Sequence, residues 1–400
     1  MNREAAGRAA GGGSESRWQA MRIRLRSSRR LVIKVGSSSL TDDSGALDVR
    51  KLGKLVAQVA AVRERGVEVV MVSSGAIAAG LPELGLHRRP KDMASLQAAA
   101  SVGQGRLMHS YANCFSRKGL AVGQVLLTQY DFVRRSSYLA ARRTLNRLLA
   151  LGAVPIVNEN DTVAVEEIRY GDNDLLAALV ANLVHADLLL ILSDIEGLYE
   201  ADPRSNPNAR LLSCVEDVSA LCGVSAGGPG SRVGSGGMAS KLEATRIATF
   251  SKVGVVIAKA TRPSVMEAVL DGEDVGTYFA PRPGRVDGRK LWIAFASPAK
   301  GSLVVDAGAA KALVEGGKSL LAAGVTAVRG EFGAGDTVEV RSASERLLAK
   351  GVVGFDSSVL PGLLGHSTGE LGRERGPDFA REVIHRDNLV ILDSHHRSGL

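Results

Sequence analysis

Cysteine is scarce in this chain of 400 residues: there are three (Cys114, Cys214 and Cys222), and no two stand in a C-x-x-C spacing. That excludes a disulfide framework and a cysteine-built zinc site, and it fits a reducing, cytoplasmic setting. Aromatic residues make up only 4%, and no segment approaches eighteen uninterrupted apolar residues, so a membrane-spanning helix is not expected. An apolar signal-peptide core is missing as well. The seven histidines are scattered, two of them (His395, His396) near the C-terminal end, and no serine–histidine or cysteine–histidine pairing stands out. Nor is there a long-period repeat. Basic charge is present but local. The formal net charge is +8, yet the first thirty residues carry eight arginines against Glu4 and Glu15, and the rest holds 42 basic and 40 acidic residues. A nucleic-acid-binding face on the folded body is therefore not expected. Residues 1–28 read as a disordered Arg-rich extension, with Met21 as an alternative start.

At 45% hydrophobic, 400 residues are enough for two domains. Leu31-Val-Ile-Lys-Val35 is a β-branched run stopped by Gly36, followed by helical apolar spacing at Leu52, Leu55, Val56, Val59 and Val62. Val67 to Val72 reads as the next strand, ending in Ser73-Ser74-Gly75-Ala76 before a small-residue helix at Ile77-Ala-Ala79. Helix, strand, helix and strand follow at 91–118, 120–127, 136–151 and 153–157, then a helix from Leu175 and a strand over 186–192. The last β-α alternation is a helix at 238–252 and a strand at 253–258. This pattern predicts an α/β domain over 29–284, built on a mostly parallel sheet covered by helices on both faces. Gly284 to Gly288 reads as a linker. From 299 to 380 short β-like runs punctuated by glycine (303–305, 337–340, 348–353) predict a small, mainly β domain, and 381–400 a C-terminal tail.

Several stretches carry residues that a fold alone does not require. Lys34 sits inside an apolar strand, so it is either on an edge with its amine in solvent or aimed at an anion. Asn158-Glu-Asn-Asp161 and Gly171-Asp-Asn-Asp174 follow closely on one strand. Helix capping accounts for Asp172 or Asp174, but not for Asn158, Asn160 and Asp161 together, which suit a zwitterionic substrate or a metal. Ser193-Asp194 follows a core strand. Ser231 to Lys241 places Gly234, Gly236 and Gly237 just before a helix that begins near Met238. This run is either a phosphate cradle, in which backbone N–H groups, the helix N-terminus and Lys241 face an anion, or a surface loop with a helix cap. It does not fit G-x-x-x-x-G-K-[ST]. No general base is evident, and phosphoryl transfer to a carboxylate needs none because the nucleophile is already ionised.

Together, Val32-Ile-Lys-Val-Gly-Ser-Ser38, Val72-Ser-Ser-Gly-Ala-Ile-Ala-Ala-Gly80, Asn158 to Asp161, Gly171 to Asp174, Ala201-Asp-Pro-Arg-Ser-Asn-Pro207 and Gly234 to Lys241 resemble, in order and spacing, the glutamate 5-kinase family of the amino-acid kinase superfamily. The C-terminal part resembles a PUA domain. The resemblance implies ATP-dependent phosphorylation of the γ-carboxylate of L-glutamate to L-glutamyl 5-phosphate, the first step of proline biosynthesis, with Mg2+. It implies Lys34, Lys241 and Asp174 as catalytic residues and Ser74, Asp161 and Asn173 as glutamate-binding residues. Lys34, Ser193, Asp194, Ser235, Gly236, Gly237, Met238, Ala239, Ser240 and Lys241 would hold ATP. The metal ligands stay open. Feedback by L-proline, hand-over to glutamyl-phosphate reductase and a homo-oligomer (dimer or tetramer) also come from the resemblance. Two rivals remain. One is a sister kinase acting on acetylglutamate, aspartate or a nucleotide. The other is an RNA-binding regulator, disfavoured because residues 299–378 hold nine basic and ten acidic side chains.

Overall fold

The computed structural model describes residues 17–42, 45–86, 88–128, 131–132, 135–163, 173–203, 206, 208–218, 237–281, 290, 293–294, 297 and 299–392. The chain forms two compact units that divide between residues 285 and 286. The expected linker, Cys222, residues 231–236 of the glycine run, Gly171, Asp172 and part of the Pro-Arg loop lie outside the described residues.

The first unit is built on an eight-stranded sheet. Its strands are β1 (Arg30–Val35), β2 (Glu68–Ser73), β3 (Val122–Leu127), β4 (Val154–Glu159), β5 (Leu188–Ser193), β6 (Cys214–Val215), β7 (Gly254–Lys259) and β8 (Thr277–Phe279), in the order β3-β4-β2-β1-β5-β7-β8-β6. All neighbours pair parallel except β7 with β8. Because parallel strands need helical crossovers that cover both faces, these strands are almost continuously apolar. Every residue of β4 and β5 is buried. Lys34 is therefore not at an edge. Its strand lies between β2 and β5, and the residue is only 2% exposed.

The helices follow the sequence pattern. Helix α2 (Val49–Glu64) begins where the Asp48 carboxylate accepts the N–H groups of Arg50 and Lys51, and it buries Leu52, Leu55, Val56, Val59 and Val62. Helices α3 (Ala76–Gly80) and α4 (Met93–Ser116) meet at backbone distance. A Cβ on Gly103 would fall 1.8 Å from the Ala76 carbonyl oxygen, and one on Gly80 would fall 1.9 Å from that of Ala99. Next come α5 (Arg135–Ala150), α6 (Asn173–Leu183), α7 (Gly237–Phe250) and α8 (Val265–Leu270).

The reading of residues 1–28 as disordered needs correction from residue 17 onward. Residues 17–23 form helix α1, and Arg22 within it is 1% exposed. Its guanidinium donates to the carbonyls of Glu273 and Val275 through Nη1, to those of Ser213 and Gly276 through Nη2, and pairs with Asp274 at 3.1 Å. The planar donor fork satisfies a turn's carbonyls at once, which makes a composition-based reading of arginine as solvated misleading here. Burial pushes the neighbouring Cys214 thiol up to about 11, so it stays protonated at neutral pH.

The second unit carries a five-stranded sheet ordered β10-β9-β11-β12-β13, from β9 (Gly301–Val305), β10 (Val325–Gly330), β11 (Thr337–Ser342), β12 (Leu347–Val352) and β13 (Leu389–Ile391). Helix α9 (Ala307–Val314) is capped by Asp306, and α10 (Thr368–Arg375) opens with a Ser367/Glu370 capping box. The tail assigned to 381–400 is also corrected. Ile384 and Leu389 are buried in this unit's core, Leu320 bridges Ile384, and β13 closes the sheet against β12.

Gly103→Ala is expected to force α3 and α4 apart and cost roughly 1–3 kcal/mol or more, the range for overpacking a close contact. A thermal melt unchanged from the parent protein would contradict that packing.

Candidate active site

Parallel strands that all run one way deliver their carboxyl ends to one edge of the sheet, which is where open α/β sheets bind ligands. The chain's crossing from β4 to β5 passes over β2 and β1, so loops from both halves of the sheet meet above β1. A cavity of about 830 Å³ lies there. Its walls include Lys34 near the end of β1, Ser74 just past β2, Asp161 beyond β4, Asn173 on the first turn of α6, Ser193 and Asp194 at the end of β5, and Lys241 on α7.

The centre of the site is Asp174, whose side chain has no solvent exposure. Lys34 Nζ pairs with its Oδ1 at 2.6 Å, and Lys241 Nζ with its Oδ2 at 3.1 Å. Ser240 Oγ donates to the same Oδ2 at 2.9 Å, and Lys241 Nζ also donates to the Gly237 carbonyl at 3.3 Å. Two lysines 207 residues apart in the sequence, 241 minus 34, thus share one carboxylate. Both line the same cavity. Buried charges of this kind persist only when paired and hydrogen-bonded.

A second group of side chains sits beside the first. Asn173 Nδ2 shares its two protons among Ser73 O (3.1 Å), Ser74 Oγ (3.0 Å) and Asn158 Oδ1 (2.9 Å). Asn158 Oδ1 also accepts the Glu159 N–H at 2.9 Å, while Asn158 Nδ2 donates to Gln104 Oε1 at 2.9 Å. Beneath Ser74, the Ser73 hydroxyl pairs with the buried Tyr111 hydroxyl at 2.8 Å, and burial raises the Tyr111 phenol far above its ordinary value. Gly75 follows with φ of 106°, a left-handed conformation that turns the chain from β2 into α3 and that a side chain would strain. Asp161 opens a single 3-10 turn, Asp161–Val163, at the cavity wall.

Of the residues that the sequence singled out, Lys34, Ser74, Asp161, Asn173, Ser193, Asp194 and Lys241 meet at one cavity, and Asp174 ties the lysines together beneath it. Ser193 Oγ donates to Asp194 Oδ1 at 3.0 Å. Gly237, Met238, Ala239 and Ser240 form the first turn of α7, and Ser240 reaches Asp174, but none of the four is among the cavity-lining residues. Ser235 and Gly236 lie outside the described residues. Sequence reading missed Gln104 and Tyr111 on α4 and the cavity-lining Arg89. A signal for Gln104 was present. Gly103 precedes it inside a helix, where glycine is unfavourable unless backbone passes close by, as the Ala76 carbonyl does here.

The amino acid kinase family model matches residues 29–259, more than half of the chain. The chain belongs to the amino acid kinase family. A PUA domain model matches residues 301–371 of the second unit. Proteins named glutamate 5-kinase place the chain in that branch of the family. The one from Streptomyces coelicolor is 54% identical over 91% of this chain and 96% of its own length. That from Salinispora arenicola is 52% identical over 93% of this chain and 100% of its own, and that from Moorella thermoacetica is 47% identical over 93% and 98%. Among solved structures, a UMP kinase from Bacillus anthracis aligns over 64% of this chain and 96% of its own, with TM-score 0.45 and 16% identity.

Replacing Asp174 by Asn removes the only formal negative charge of the Lys34–Asp174–Lys241 trio. The expected loss is about 3–5 kcal/mol of unfolding free energy, the range for breaking a buried pair. Urea unfolding at neutral pH measures it, and a midpoint equal to that of the parent protein would contradict the arrangement.

Proposed function

We propose that the chain transfers the terminal phosphoryl group of ATP to the γ-carboxylate of L-glutamate, giving L-glutamyl 5-phosphate, which commits glutamate to proline synthesis. The observation that carries this reading is the pair of lysines held on one carboxylate at the wall of a cavity that also presents Asp161, Asn173 and Ser74. An ionised carboxylate is already a nucleophile, so the site has to position and neutralise rather than deprotonate. One carboxylate oxygen of glutamate attacks the γ-phosphorus, the bond from phosphorus to the bridging oxygen breaks, and ADP leaves with that electron pair. Lys34 and Lys241 carry the charge that builds on the transferring group and on the leaving oxygen, and Asp174 fixes where their ammonium groups point. The Asp161 carboxylate pairs with the substrate ammonium, which favours a free amine over an acylated one. Ser193, Asp194 and the first turn of α7 form the nucleotide side.

Magnesium belongs to the same reading, arriving on the phosphates of ATP and helping to neutralise them. The donor set fits that mode. Asp174 is engaged by Lys34, Lys241 and Ser240, which leaves Asp194 as the acidic side chain facing the nucleotide side of the cavity. No helix among the described residues is long and apolar enough to cross a membrane, and the reading includes a cytoplasmic location. A dimer or tetramer, inhibition by L-proline and hand-over of the labile product to glutamyl-phosphate reductase complete it. Light scattering and a proline inhibition curve test the first two.

With ATP, magnesium and hydroxylamine, the protein should form γ-glutamyl hydroxamate from L-glutamate. A signal only with acetylglutamate or aspartate would overturn the substrate assignment. In the same assay Lys241→Ala should lower turnover by about a hundredfold or more, the scale for losing one transition-state charge contact. Parent-like turnover in that variant would remove Lys241 from the chemistry.

A further inference from the structure

The row of amides beside the lysines has only one consistent orientation, and two backbone groups set it. The Glu159 N–H can only donate, so the Asn158 atom it meets at 2.9 Å is Oδ1. The Ser73 carbonyl can only accept, so the Asn173 atom facing it at 3.1 Å is Nδ2. Asn158 must then turn Nδ2 toward Gln104, and Gln104 must answer with Oε1 at 2.9 Å. Ser74 Oγ accepts from Asn173 Nδ2, so its own hydroxyl proton remains to be donated elsewhere. The polarity of the cavity wall follows. Asn173 has the carbonyl oxygen Oδ1 left for the cavity it lines, and Ser74 has an O–H donor.

On the proposed glutamate 5-kinase reading, we infer that Gln104 is a positioning residue that braces Asn158, and through it Asn173, in the orientation the two backbone groups set, so that Asn173 Oδ1 accepts from the substrate ammonium while Ser74 donates to a substrate carboxylate. Gln104 lies outside the cavity lining and is only 8% exposed. Its Nε2 is buried with no hydrogen-bond partner among the described residues. A buried donor left without a partner is costly, so packing alone gives no reason for an amide here, whereas the acceptor role of Oε1 does. The backbone contact between Gly103 and Ala76 brings this stretch of α4 against the start of α3, close to the end of β2. An acceptor in the cavity that Asp161 also lines favours a free ammonium group. A reversed Asn173 amide would present N–H donors to that group instead.

The test compares the parent protein, Gln104→Met and Gln104→Glu with magnesium and ATP. Methionine has a similar volume but no strong acceptor, and glutamate keeps an acceptor oxygen in either protonation state. Three constants are read: KM for L-glutamate, KM for ATP, and the inhibition constant of glutarate, which has both carboxylates and no ammonium. Loss of one hydrogen-bonded support should raise the glutamate KM of Gln104→Met about tenfold, with the ATP and glutarate constants within about twofold of the parent. Gln104→Glu should return the glutamate KM to within about threefold of the parent. An unchanged glutamate KM in Gln104→Met, an equal loss for glutarate, or no recovery in Gln104→Glu overturns the inference. If Gln104→Met melts below the assay temperature, Gln104→Glu decides alone, a ratio of glutamate to glutarate affinity near the parent's supporting the inference and an about tenfold loss overturning it. A parent protein that forms no hydroxamate would sink the activity itself, whereas these constants bear on the amide row alone.

Discussion

One carboxylate at the first turn of α6 holds two ammonium groups, one from the strand at the centre of the sheet and one from a helix more than two hundred residues later. Everything else in the first unit is arranged to bring those three groups to one place. Lys34 reaches it only because β1 lies between β2 and β5, so its amine is carried to the carboxyl edge by a strand with no solvent edge of its own. Asp174 reaches it because α6 starts where the loop beyond β4 ends. Lys241 reaches it because α7 begins four residues earlier and turns its fifth residue back over Gly237 O. Charges buried this deeply are unstable unless each has a partner, so the chemistry and the fold constrain one another at this point.

The same economy applies to recognition. A zwitterionic amino acid needs both acceptors and donors, and side-chain amides supply either, depending on which way they are turned. Here the Glu159 N–H and the Ser73 carbonyl, both from strand ends, remove that ambiguity at Asn158 and Asn173, Gln104 braces Asn158 from behind, and Asn173 presents the choice to the cavity. The position of that row depends on α3 and α4 touching at their backbones, which only glycine at residues 80 and 103 permits. A backbone contact at the cavity wall, between Gly103 and Ala76, thereby helps place the groups that meet the substrate.

Much of this was legible in the residues. Alternation of apolar strands with amphipathic helices is a strong periodic signal, and β1 to β5 and β7 fall close to where it puts them, whereas the short β6 and β8 are too brief to give a periodic signal and are not expected from it. Lys34 was ambiguous because burial of a lysine depends on which strands flank it, and strand order is not written in local sequence. Asp174 stands out as a polar residue opening an apolar helix, but its role of orienting the two lysines comes only from the family resemblance, because both lie far from it along the chain. Gln104 is not legible because a single amide in a helix has no spacing pattern, and only Gly103 before it hints at close contact. The sequence puts Arg22 in a disordered extension and the strand Leu389–Ile391 in a C-terminal tail for a shared reason. Composition registers charge and terminal position, whereas the structure satisfies Arg22 with backbone carbonyls and Leu389 with the edge of a sheet.

The central claim is that Lys34 and Lys241, held by Asp174, converge on one triphosphate. A crystal structure with L-glutamate, magnesium and an ATP analogue carrying a nitrogen between its β- and γ-phosphorus atoms tests it most directly. Both Nζ atoms should lie within about 3 Å of phosphate oxygens, the distance of a charge-assisted hydrogen bond, with the glutamate side-chain carboxylate in line with the γ-phosphorus. A triphosphate seated away from either lysine, or a glutamate whose side chain points away from it, would contradict the account.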